Sequence, residues 1–128
     1  MKNKYLIDTN ILIYYFNGII VDEVIHTILE QSFNISIISK IEFLSWQKLL
    51  NNKELRQKTT EFISNATIYE LDEVVAEKII EIRQKYKIKK PDAIIGATAL
   101  VHDFEIVTNN ADDFKQLDLK IIIPKVKE

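Results

Sequence analysis

Five short β-rich runs alternating with segments of helical period predict an α/β fold, a mostly parallel central sheet between two helical layers. Turn formers point the same way, because two glycines and two prolines in 128 residues are too few for a sandwich or barrel built on tight turns. Length agrees: 128 residues is near the modal size of one domain, and no repeat, low-complexity tract or Pro/Ser-rich hinge divides the chain. Residues 1–128 are therefore expected to form one unit.

The elements follow in order. "KYLID" (4–8) reads as the first strand, and the apolar run around it is interrupted by Asp8, Thr9 and Asn10 where strand would give way to helix. Val21, Val24, Ile25, Ile28 and Leu29 then recur at helical spacing. "NISII" (34–38) is the second strand, and "SKIE" (39–42) opens a helix with Ser39 and Glu42 spaced as a capping box. Leu55, Thr59, Phe62 and Ile63 mark the next helix, "TIYEL" (67–71) the third strand, and Val75, Ile79, Ile82 and Tyr86 another helix. "PDAIIGATALVH" (91–102) has Pro91 where a first helical residue is favoured, and its small Ala93, Gly96, Ala97 and Ala99 permit a close neighbour. "EIVT" (105–108) and "LKIII" (119–123) complete the strands.

A net charge of −2 gives no general basic footprint, so a polyanion would have to be met by a local patch. The absence of cysteine excludes disulfides and thiolate metal sites and fits a cytoplasmic protein. The amino terminus imitates a signal peptide, but Asp8 and Asn10 break its apolar run and no small-residue cleavage site follows, so it reads as folded core. No run approaches the ~18 apolar residues of a membrane span.

In open parallel sheets, ligands collect outside the carboxyl ends of the strands. At the expected junctions stand Asp8, Glu42, Asp92, and Asp112 with Asp113. Singly, each has an ordinary explanation, since acids satisfy the positive, unpaired amino ends of helices. Yet Thr9, Asn10, Ser39, Thr108, Asn109 and Asn110 already offer neutral caps at three of these places. If the acids converge, two charges ~4 Å apart repel by ~4 kcal/mol at an effective dielectric near 20, against only ~0.3–1 kcal/mol from a helix end. Converged carboxylates must then take up protons or hold a cation, and oxygen ligands without His or Cys suit Mg²⁺ or Mn²⁺.

"YLIDTNILI", "SIISKIEFL", "KKPDAIIGATAL" and "IVTNNADDF" together resemble, in order and spacing, the signature blocks of PIN-domain ribonucleases of the VapC toxin branch. The resemblance implies a three-layer α/β/α PIN-like domain in which Asp8, Glu42, Asp92 and Asp113 bind divalent metal, Mg²⁺ or Mn²⁺. Asp113 is preferred to Asp112 because it directly precedes Phe114. Thr9, Asn10, Ser39 and Thr108 fall on supporting positions, while Asn110 departs from relatives that carry an acid there. The implied activity is that of an endoribonuclease toxin, hydrolysing tRNA or another structured RNA to 5′-phosphate and 3′-hydroxyl ends. The implied partners are a homodimer mate and a cognate antitoxin that lays an apolar segment along the toxin.

Other features have two readings each. "RQKYKIKK" (83–90) is either a solvated helix end or, through Lys87, Lys89 and Lys90, a contact for an RNA backbone. His26 and His102 would be needed for a metal-free acid–base ribonuclease, but both fall in helical segments with structural explanations. The rings of "YYF" (14–16) and "FLSW" (43–46) fit core packing or a partner surface. Two alternatives of other classes stand beside the nuclease. A receiver-type Mg²⁺-binding signalling domain should show adjacent acids near the first strand and a late-strand lysine, which are missing. A catalytically silent RNA- or protein-binding scaffold would bind without metal-dependent cleavage.

Overall fold

In the computed structural model, which describes residues 4–127, all five expected strands form, each shorter than its apolar run. Residues 1–3 and 128 of the expected unit lie outside the described residues. The strands β1 (Tyr5–Ile7), β2 (Asn34–Ser36), β3 (Thr67–Tyr69), β4 (Glu105–Val107) and β5 (Ile121–Ile122) pair wholly in parallel, in the order β3-β2-β1-β4-β5. β1 thus lies between β2 and β4. A receiver-type sheet places β1 between its second and third strands, so this order removes that alternative.

Side-chain alternation divides the core between the two faces of the sheet. Leu6 and Ile106 pack with α5 (Glu73–Lys85) and α6 (Lys90–His102) on one face. Their neighbours Ile7 and Val107, with Ile35, pack with α1 (Thr9–Phe16), α2 (Val24–Gln31), α3 (Ile37–Leu44) and α4 (Lys53–Ile63) on the other. Covering both faces is what an all-parallel sheet requires, and it gives the three-layer α/β/α architecture. On the second face, the rings of Phe16, Phe33, Phe43 and Phe62 pack within 6.1 Å of one another's centroids wherever they meet, and Tyr15 and Trp46 pack against the same cluster, so four of the five "YYF" and "FLSW" aromatics serve the core. Gly96 belongs to the other face: a Cβ there would stand 2.5 Å from Leu117 Cδ1, so its bareness lets the carboxy-terminal segment settle on α6.

Three local expectations are corrected. In "NISII" only Asn34–Ser36 is strand; Ile37 and Ile38 form the first turn of α3, because the Ser36 hydroxyl accepts from Ile38 N and caps the helix there. The expected capping box of Ser39 and Glu42 is consequently absent, and both residues lie inside α3, Ser39 fully buried. Asp92 does not follow a strand, since α6 is entered from α5 through a short connection rather than from the sheet. Among the described residues, no helix is long and apolar enough to cross a membrane.

Candidate active site

The chain runs outward from β1 to β2 and β3, then returns to the other side of β1 for β4 and β5. The point of return, between β1 and β4, is where a crevice opens at the carboxyl ends of such strands. Asp8 leaves β1 and Thr108 leaves β4 at that point, and the Thr108 hydroxyl donates to Asp8 Oδ2 at 2.7 Å. The backbone joins them too, with Asp8 N donating to Val107 O at 2.9 Å.

Asp8 is the N-cap of α1, its Oδ1 accepting from Thr9 N at 2.8 Å, so it is not surplus to capping as the nearby Thr9 and Asn10 suggest. Those two residues are helical and free for other work. Asn10 Nδ2 donates to Asp8 Oδ2 at 3.1 Å, and Asn10 Oδ1 accepts from Asn109 N at 3.3 Å. The Thr9 hydroxyl donates to Glu42 Oε1 at 2.6 Å and lies 2.9 Å from Ser39 Oγ. A hydroxyl has one proton, so with Thr9 committed to the carboxylate, buried Ser39 donates to Thr9 and the order is Ser39 to Thr9 to Glu42. Thr108 Oγ1 accepts from Asn110 N at 2.9 Å, fixing the loop after β4.

Asp8, Glu42 and Asp92 line one cleft of about 300 Å³, together with Thr9, Asn10, Asn110 and an apolar wall of Ile13, Pro91 and Ile95. The sequence reading gives the wall residues no place in the site, although Ile13 and Ile95 each stand three residues beyond a polar cleft residue, one helical turn away. Asp113 closes a 3-10 turn, Ala111–Asp113, is exposed, and lines an adjoining hollow with Asn109–Asp112 instead. Asp112 is also exposed, 3.6 Å from Lys115 Nζ in a surface pair of little energetic weight.

Electrostatics link these acids across the cleft. Burial, with Asp8 only 5% exposed, pushes its carboxyl up to about 6. Hydrogen bonds from Thr108 and Thr9 pull it down, and the charges of Asp92 and Glu42 push it further up. Asp92 is also raised, first by burial and then by Asp113, with Glu42 adding to it and Lys89 opposing it. Among the described residues, however, no three acids or histidines are gathered closely enough to form a ready-made metal cage. The side-chain donors lining the cleft are carboxylate, hydroxyl and amide groups, whose oxygens are the ligands hard dications take. Mg²⁺ keeps several of its waters and needs only one or two carboxylates from a protein.

The remaining candidates lie apart from this cleft. His26 is exposed on α2 with Nδ1 3.4 Å from the Tyr15 hydroxyl. His102, in the last turn of α6, packs 4.7 Å from the Tyr69 ring and 5.8 Å from Phe104. The two are not partners. Lys87, Lys89 and Lys90 are exposed, and Lys89 is the N-cap residue of α6.

A family model described as PIN domain matches residues 5–120. Among solved structures, a chain of a toxin–antitoxin complex from Klebsiella pneumoniae is 34% identical with a TM-score of 0.75, covering 93% of this chain and 96% of that one. VapBC2 from Rickettsia felis, solved bound to a DNA fragment from its promoter, is 22% identical with a TM-score of 0.74 over 94% and 98% of the two chains. DNA-bound VapBC from Salmonella typhimurium is 20% identical with a TM-score of 0.74 over 95% and 98%. No curated protein matches the chain. With a model spanning nearly its whole length and a cleft at the β1/β4 return to match, the chain belongs to the PIN-domain family.

Proposed function

We propose that this protein is a VapC-type toxin, a divalent-metal-dependent endoribonuclease neutralised by a cognate antitoxin. The observation that carries the reading is the cleft itself, where a buried Asp8 with a raised proton affinity faces Glu42 and Asp92. Nuclease activity is general among PIN domains, and the 34% identical neighbour is part of a toxin–antitoxin complex. The same kinship supports a homodimer and a cytoplasmic setting.

Asp8 and Asp92 would hold Mg²⁺ or Mn²⁺, with Glu42 and, from the side, Asp113 contributing negative charge. Bound there, the ion supplies charge neutralisation to a phosphodiester and lowers the pKa of a bound water. The chain does the positioning. Thr108, Thr9 and Asn10 fix both oxygens of Asp8, so its carboxylate keeps one orientation. The Ser39–Thr9 pair fixes Glu42 Oε1, and the other carboxylate oxygen of this cleft residue would orient a water or take its proton. Ile13, Pro91 and Ile95 supply the apolar part of the cleft lining. Tertiary contacts of Lys87, Lys89 and Lys90 with the RNA backbone would add binding outside the cleft. The substrate class is tRNA or another structured RNA, cut to 5′-phosphate and 3′-hydroxyl ends.

Purified protein incubated with total RNA, with Mg²⁺, with Mn²⁺ and with excess EDTA, tests this when the cut ends are mapped. Cleavage in either metal, none in EDTA, and 5′-phosphate ends are expected. Cleavage that survives EDTA would return the histidines to consideration, and binding without any cleavage would favour a silent scaffold.

A further inference from the structure

We propose that Asn109 is a positioning residue, its side-chain amide donating to the Asp113 carboxylate and holding that acid toward the cleft when a dication is bound. This rests on the metal-dependent reading above. Among the described residues, Asn109 Nδ2 is the one fully buried side-chain nitrogen or oxygen with no hydrogen-bond partner. The fold pins the backbone on both sides of it. Asn109 N donates to Asn10 Oδ1, Asn110 N donates to Thr108 Oγ1, and the Thr108 hydroxyl donates in turn to Asp8 Oδ2. The amide is thereby held out of water without a partner of its own. Such groups are rare, because burial strips their hydration at a cost that only a partner offsets, and they recur where a functional partner is missing.

Asp113 supplies what the amide lacks. It lines the same hollow of about 480 Å³ as Asn109, brought there by the 3-10 turn Ala111–Asp113, in which Asp113 N donates to Asn110 O at 3.0 Å. It is exposed, and no cation pairs with its carboxylate among the described residues. Asp112, the other acid of the hollow, lies 3.6 Å from Lys115 Nζ instead. Asp113 is also the acid of this turn whose charge reaches the cleft, since it raises the carboxyl of Asp92. An amide suits the task. It orients a carboxylate by a charge-assisted hydrogen bond and leaves the negative charge for the cation, whereas a lysine would compete with the ion. Capping does not account for Asn109, because the N-cap of the turn is Asn110, which makes no side-chain cap either.

Asn109→Leu keeps the volume and removes the donor, and Asn109→Ala removes both and carries the test if leucine does not fit. Each is made alone, with Asp113→Ala and with Asp112→Asn. Binding of Mn²⁺ is measured by calorimetry, and melting in EDTA checks the folding of every variant. In EDTA, Asn109→Leu should melt no lower than wild type, because it takes away a buried group that has no partner. Both Asn109 variants should bind Mn²⁺ about tenfold more weakly, the usual scale for a residue that orients a metal ligand. That loss should persist beside Asp112→Asn and vanish beside Asp113→Ala, where no carboxylate is left to orient. Unchanged Mn²⁺ affinity in the Asn109 variants overturns the assignment while the nuclease reading stands. A tenfold loss that survives Asp113→Ala also overturns it, since Asn109 then acts through another group. Wild-type protein that neither binds Mn²⁺ nor cuts RNA in its presence overturns both.

Discussion

Asp8 is held by three donors and crowded by two acids, and its burial decides which influence prevails. Its carboxyl rises from 3.8 to about 6, so the folded chain binds this proton more tightly than the unfolded one. In metal-free protein, Asp8 then opposes folding fully above about pH 6, and that opposition is relieved as pH falls through about 6 toward 3.8. The size is on the order of 3 kcal/mol at 1.36 kcal/mol per pH unit, and the raised Asp92 adds to it with the same sign. Asp8→Asn should abolish RNA cleavage and flatten much of the stability gain that wild type shows on acidification from neutral pH in EDTA. Denaturant melts across that range measure the slope, and equal slopes in the two proteins would place the proton uptake elsewhere. At this scale the sequence shows the acid and the hydroxyls. It does not show that Asp8 itself caps α1, because Thr9 and Asn10 satisfy the same local rule.

Helix α6 carries most of what distinguishes one element from another here. It brings Asp92 to the cleft at its start, and at its end Asp103 adopts the left-handed conformation, φ 58° and ψ 45°. A Cβ is costly in that conformation, and a carboxylate at the negative end of a helix is unfavourable as well. Asp103→Gly should therefore stabilise the protein by about 1 kcal/mol, read as a higher denaturant midpoint with an unchanged m-value. A lower midpoint would mean that Asp103 makes a compensating contact through its side chain. Pro91 at its start and the small residues that follow predict this helix, because both are local signals. The start of α3 is mistaken for a related reason: Ser36 and Ser39 both satisfy local capping chemistry, and only the end of β2 selects Ser36.

For the molecule as a whole, the cleft acids repel one another, and the dication proposed to bind there would convert that repulsion into stability. Saturating Mn²⁺ near neutral pH should raise the melting temperature, by the equivalent of about 2.7 kcal/mol at a hundred times Kd. Asp92→Asn should lose most of that gain, whereas Asp112→Asn, which alters an exposed acid outside the cleft, should keep it. Equal gains in all three proteins would mean that the ion binds somewhere other than the cleft. The sequence by itself determined the alternation of strands and helices, the two buried faces of the sheet and the identity of the candidate acids. These are legible because side-chain period and helix-end chemistry act over a few neighbouring residues. Only the tertiary structure decided which acids share a cleft, putting Asp8, Glu42 and Asp92 together and leaving Asp113 at its side. The hydrogen bond from Thr108 to Asp8 spans 100 positions, and Asp92 arrives from a helix that follows no strand. Such meetings depend on the order of strands across the sheet and on the packing of helices over it, which no short stretch of residues encodes.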